Sequence, residues 1–211
     1  MYRYNYAFRI SLVMKRCIPV VLLLSWPVSV AADFFANETV IPAPRPELFS
    51  VCYNHSCTTI VSDSLSPEEW RSATTPLVLP LESAADERHA ISLAIATMED
   101  IVGRHTGTSS DSGGNLVGFG RPSQMDCIDE STNTNTYLLM LERDGLFQHH
   151  TVVSRSTRFG LFVGMPHTTA VIRDNETQQR YAVDSWFHDN GKPPYIERLE
   201  LWKAGGEPDY E

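Results

Sequence analysis

The sequence predicts an α+β fold, with helices from the first part of the chain packed on an antiparallel sheet from the second. Three stretches carry that prediction. Between Ser83 and Gly103, Ile91, Ala94, Ile95, Met98, Ile101 and Val102 recur at helical spacing and mark one apolar stripe. A second helix is expected from Cys127, through Leu138, Leu139 and Leu141, to a stop at Asp144-Gly145, where glycine accepts the left-handed cap conformation. The third stretch reads as two strands, His167–Arg173 and Gln178–Trp186, separated by the turn-rich Asp174-Asn-Glu-Thr177.

The N-terminal residues read as a leader. Arg3, Arg9, Lys15 and Arg16 precede an apolar run from Cys17 to Ala32, and the first acidic residue is Asp33. Val30-Ala31-Ala32 supplies small residues for cleavage, so residues 1–32 are expected to be a secretory signal peptide. An uncleaved membrane anchor is the weaker reading, because Pro19 and Pro27 interrupt a short run. Removing four basic residues and no acidic ones leaves 13 basic against 26 acidic, a charge of −13. That balance argues against nucleic acid or an anionic membrane as partner. Export then means a periplasmic or extracellular location.

The cysteines divide accordingly. Cys17 belongs to the leader. Cys52 and Cys57 flank Tyr-Asn-His-Ser between two strand-like runs, and in an exported protein they are expected to form a disulfide clasping a hairpin. The rival is a metal site using Cys52, His55 and Cys57, disfavoured because no second ligand pair follows. Cys127 is left as the odd thiol.

Residues 33–80 are expected as an N-terminal extension. It holds an extended lead-in with Pro42, Pro44 and Pro46, the clasped hairpin within Leu48–Val61, and a short helix opened by Ser66-Pro67-Glu68-Glu69. Residues 81–211 are expected as the main domain. Within it, Thr106 to Gly114 is polar and glycine-rich and reads as a mobile exposed loop, with a lid beside the thiol as the lesser alternative. Leu146 to Ser154 and Phe159 to Met165 look like strands, and Tyr195 to Trp202 like an edge strand or a short helix.

A thiol at a helix start feels the positive end of the helix dipole, which favours thiolate. Asp126, Asp129 and Glu130 crowd the same turn and oppose that effect, although acidic residues are also normal at a helix start. Cys127, a histidine opening one strand (His167) and an aspartate near the end of the next (Asp184) are the parts of a nucleophile, a general base and a base-orienting carboxylate. His149-His150 and His188-Asp189 are the rival bases.

The order Asp-Cys at a helix start, then Pro-His-Thr-Thr-Ala-Val, then Tyr-Ala-Val-Asp-Ser-Trp, over roughly Gly120 to Trp186, resembles the transglutaminase-like superfamily of papain-like cysteine enzymes, including bacterial transglutaminase-like cysteine peptidases. The resemblance implies a papain/transglutaminase-like core and a catalytic triad of Cys127, His167 and Asp184. It also implies that Gln124, upstream of the cysteine, helps form an oxyanion hole beside the Cys127 N–H. One departure is the polar run Ser131-Thr-Asn-Thr-Asn-Thr136, where an apolar helix face is expected.

Two functions follow as expectations. The first is an exported cysteine enzyme, a peptidase, amidase or acyl transferase, acting on an amide bond of a peptide or protein, with the cell envelope as one source. The second is a non-catalytic envelope binding protein retaining the fold. No cofactor or metal is called for. The geometry has one sharp requirement. A two-residue loop at Asn175-Glu176, or a four-residue loop at Asp174–Thr177, pairs Arg173 with Gln178 and sets His167 directly opposite Asp184.

Overall fold

A computed structural model describes residues 40–115, 121–159 and 166–209. The expected leader, residues 1–32, lies outside the described residues, as does most of the strand expected at Phe159–Met165. The described residues belong to one compact unit, Ala32–Glu211. The chain is mixed helix and strand with antiparallel sheets.

Strands β1 (Phe49–Tyr53) and β2 (Thr59–Asp63) form a hairpin, and the Cys52–Cys57 disulfide clasps it as expected. Helix α1 (Pro67–Thr74) starts at Ser66 with a complete capping box, Ser66 and Glu69 satisfying each other's backbone N–H. Helix α2 (Ala84–Thr106) starts at Ser83, which accepts from Asp86 N. It runs past Gly103 to a left-handed Gly107. Gly103 lies within the helix, where a Cβ would come within 2.7 Å of the Asn190 amide.

Helix α3 (Cys127–Arg143) is followed by a four-stranded antiparallel sheet in the order β3 (His150–Phe159), β4 (Pro166–Asp174), β5 (Arg180–Asp184), β6 (Tyr195–Arg198). The stretch that reads equally as strand or helix is both, β6 running into the short helix α4 (Leu199–Lys203). The sheet's side chains alternate between two buried faces. Ala170, Ile172 and Val183 join Phe49, Val51, Leu77, Ile91, Ile95, Met98, Leu138 and Leu141 in the main core. Val171 and Ala182, on the opposite face, pack with Phe187, Leu199 and Trp202. Residues of the N-terminal stretch therefore share one core with α2 and α3. Among the described residues no helix is long and apolar enough to cross a membrane.

The β4–β5 register differs from the expected one by two residues. Arg173 pairs with Arg180, and Ala170 with Val183. The cause is the turn. The Asp174 carboxylate accepts from Glu176 N and Thr177 N, each at 2.9 Å, and Gln178 takes a left-handed φ of 61°. The four-residue loop is thus Asn175–Gln178, one position later than expected, closed by Asp174 N to Gln179 O at 2.9 Å. Because side chains alternate with a period of two, a two-residue shift keeps His167 and Asp184 on the same face, now diagonal rather than opposite.

Candidate functional site

The start of α3 is held from outside by the disulfide hairpin. Asp126 is the N-cap, accepting from Ile128 N and Asp129 N, and Asp129 reciprocates to Asp126 N. Asn54, His55, Ser56 and Cys57 all have positive φ, between 53° and 66°. This left-handed turn aims successive N–H groups at the two carboxylates. His55 N and Cys57 N donate to Asp129 at 2.7 and 2.6 Å, and Ser56 N donates to Asp126 at 3.0 Å.

Apart from the half-buried Asn135, the polar run that follows is buried and hydrogen-bonded, which accounts for it on a core-facing helix. Asn133 donates to Cys52 O and accepts from Cys52 N, both at 2.8 Å, so it acts as a strand partner for β1. Thr134 hydrogen-bonds Ser185 at 2.9 Å, and Thr132 and Thr136 donate to carbonyls one turn back.

His167, at the start of β4, is bonded through Nε2 to Asp184 Oδ2 at 2.7 Å. Asp184 is 2 % exposed, and the same oxygen accepts from the indole Nε1 of Trp202, also at 2.7 Å. The rings of Trp186, Phe187 and Trp202 surround the imidazole at centroid distances of 4.7, 5.4 and 5.5 Å. With Nε2 engaged by the carboxylate, Nδ1 is the nitrogen left to act as base.

The Cys127 sulfur meets the β4 backbone on both sides of His167. Its thiol points at Pro166 O, 3.8 Å away, and the Thr168 N–H also reaches it. Among the described residues no hydrogen bond joins the Cys127 sulfur to the His167 ring. Burial pushes the Cys127 thiol up to about 12, the charges of Asp126 and Asp184 add to the rise, and the Thr168 N–H works against it. At that value the sulfur carries its proton near neutral pH.

Gln124 is buried and oriented by the preceding loop. Its Oε1 accepts from Asn115 and from Ser112 N, and its Nε2 donates to Ser110 O at 2.9 Å. Among the described residues its second amide hydrogen has no acceptor, and the Cys127 N–H, without an acceptor within the helix at this first position, faces its own sulfur. That loop is pinned by hydrogen bonds and forms a strap. Asp111 Oδ1 accepts from Met125 N at 2.7 Å, Gly113 N donates to Asp189, and Gly114 N donates to Trp186 O at 2.7 Å. The approach at Gly113 is close enough to require glycine, since a Cβ would fall 2.5 Å from Phe187 O.

Of the rival bases, His150 lies elsewhere. His150 Nδ1 bonds Glu87 Oε1 at 2.9 Å with both side chains fully buried, and Glu87 also accepts from Gln148 N, His149 N and His150 N. His150 pairs with Asp174 at the far end of β4, roughly 23 Å along the strand from His167. Asp189, beside His188, is occupied by Gly113 N. The disulfide removes Cys52 and Cys57 as thiolate ligands. Among the described residues no group of three or more His, Cys, Asp or Glu side chains is arranged to hold a metal ion.

Sequence reasoning missed Trp202, whose only local signal is an aromatic residue near the C-terminus. It also missed a buried acidic group behind the site, formed by Glu99 of α2, Asp111 of the strap and Glu130 of α3.

Comparison with known proteins gives no match: no family model, no curated protein and no solved structure aligns with this chain.

Proposed function

We propose that the chain is an exported cysteine enzyme that acts on an amide bond of a peptide or protein. The observation that carries this reading is the 2.7 Å bond between His167 Nε2 and Asp184 Oδ2, with the Cys127 thiol against the backbone on either side of His167. The resemblance to transglutaminase-like cysteine peptidases supports the same three residues and the papain/transglutaminase-like core. The basic-then-apolar leader at residues 1–32 and the Cys52–Cys57 disulfide support an oxidising location outside the cytoplasm.

In the proposed reaction the thiol leaves the Pro166 carbonyl and hands its proton to His167 Nδ1 as sulfur attacks the amide carbon. Asp184 holds the imidazolium by its Nε2–H. The tetrahedral oxyanion is received by the Cys127 N–H, with Gln124 as the second donor. Collapse breaks the C–N bond, and His167 returns the proton to the departing amine, leaving a thioester. Water or a second amine then attacks the thioester, His167 takes the proton from it, and collapse restores the thiol. Water makes the enzyme a peptidase or amidase, and an amine makes it an acyl transferase. The high Cys127 pKa favours this general-base route over a preformed thiolate–imidazolium pair.

The same high pKa, and the thiol's engagement with Pro166 O, favour one second reading, a non-catalytic envelope binding protein with the same fold. Labelling with an electrophilic peptide probe separates the two. The enzyme reading expects stoichiometric labelling of the oxidised wild type and none of Cys127→Ala. Equal labelling of both forms, or none of either, favours the binding protein.

A further inference from the structure

We propose that Trp202 is a positioning residue for the His167–Asp184 pair, so that the C-terminal helix α4 is part of the site. The bearing of this on catalysis rests on the Cys127–His167–Asp184 reading; the hydrogen-bond assignment does not.

The indole Nε1–H donates to Asp184 Oδ2 at 2.7 Å, the same oxygen that holds His167 Nε2 at 2.7 Å. Trp202 is fully buried and Asp184 nearly so. A buried carboxylate is driven towards its neutral form unless donors hold it ionised. One of the two donors here, the imidazole, changes protonation in the proposed reaction. The other cannot, because an indole N–H does not titrate in the working range. Trp202 therefore supplies a constant donor that holds Asp184 in one orientation while His167 gains and loses a proton. Its ring also lies 5.5 Å from the imidazole, tilted by 34°, and limits how far His167 swings.

The anchoring of α4 ties it to the same strand pair. Arg158 of β3 is the register partner of His167 on β4. Its side chain donates to the carbonyls of Trp202 and Gly206, and its guanidinium carbon sits 4.5 Å from the Trp202 ring centroid. The strands that carry the histidine thus also seat the helix that holds its aspartate.

The test uses the full, oxidised chain with Trp202→Phe, which keeps an aromatic ring and removes the N–H. In protein labelled with nitrogen-15 at histidine, the wild type should show His167 fixed with its proton on Nε2. Trp202→Phe should move both ring-nitrogen shifts towards the average of exchanging tautomers. Unchanged shifts overturn the proposal. The rate of Cys127 alkylation by iodoacetamide gives the second readout. Trp202→Phe should slow it about tenfold, as loss of a hydrogen bond to a charged group does. In an Asp184→Asn background the same change should cost less than about twofold. An equal loss in both backgrounds marks a merely structural role and overturns the proposal.

If Trp202→Phe does not fold, the Trp202 indole N–H resonance of the wild type is compared with that in Asp184→Asn. It should move upfield, and no movement overturns the assignment. If His167→Ala leaves alkylation unchanged, the nucleophile reading fails, while the nitrogen shifts still decide the role of Trp202.

Discussion

Replacing Asp129 by alanine should destabilise the protein by roughly 3–5 kcal/mol and lower its Tm by about 10 °C or more. Asp129 is fully buried and accepts from three backbone N–H groups, those of His55, Cys57 and Asp126. Removing the carboxylate leaves all three without this acceptor, and each buried unsatisfied N–H costs about 1–3 kcal/mol. Two of the three belong to a run of four non-glycine residues with positive φ, a conformation that costs roughly 1–2 kcal/mol per residue. The carboxylate and the disulfide together hold that run in place. The two changes should therefore be non-additive, with Asp129→Ala costing less once Cys52 and Cys57 are reduced. Urea denaturation of the four states measures this. A Tm within about 2 °C of wild type would mean that the hairpin does not depend on the clamp.

Stability should fall as pH rises from 5 to 8. Burial raises Glu99 to about 7, Asp111 to about 6 and Asp129 to about 7, and it raises Glu130 well above its ordinary value. These groups come from α2, the strap and α3, and the charges facing them are again acidic: one another, Asp126 and Asp189. Among the described residues, Glu99 and Glu130 each keep a buried oxygen with no hydrogen-bond partner. A carboxyl whose folded pKa lies above its unfolded value binds more protons when folded. Its contribution is complete below about pH 4 and is lost as pH rises through the folded pKa, here about 6 to 7 and above. Glu87 runs the other way: burial pushes it up, but bonds to His150 and to backbone N–H groups outweigh that and lower it. Its stabilisation is lost only in acid below about 4.5. Thermal melts should therefore show a maximum near pH 5. Glu130→Gln or Glu99→Gln should flatten the alkaline slope and raise the Tm at pH 8. A wild-type Tm that rises from pH 5 to pH 8 would contradict the buried, proton-holding cluster.

Features set by neighbours within a few residues were legible in the sequence. The Ser66 and Ser83 caps, the Gly145 stop, the clasped hairpin and the placing of Cys127 at a helix start all follow from local chemistry. The pairing of His167 with Asp184 survived a wrong register because the error was an even number of residues. The register differs because the Asp174 side chain folds the turn onto itself. The remaining differences come from long-range partners. The polar face of α3 makes sense only beside Cys52, 81 residues earlier than Asn133. The glycine-rich strap looks free until Asp111 is seen to bond Met125 N, and Trp202 looks incidental until β6 carries α4 back to Asp184. Acidic residues on a helix read as capping or solvated groups, and no local pattern reveals that Glu99 and Glu130 are buried together.

The central claim is that His167 acts as base for Cys127. The most direct measurement is the pH–rate profile of Cys127 alkylation by iodoacetamide, read at that residue by mass spectrometry, in oxidised wild type and His167→Ala. At pH 7 the wild type should react at least about 100-fold faster, the lower range for general-base assistance. His167→Ala should gain speed only at high pH, as a thiol whose pKa is raised by burial ionises. Equal rates in the two proteins across the range would contradict the claim and leave Cys127 a buried thiol.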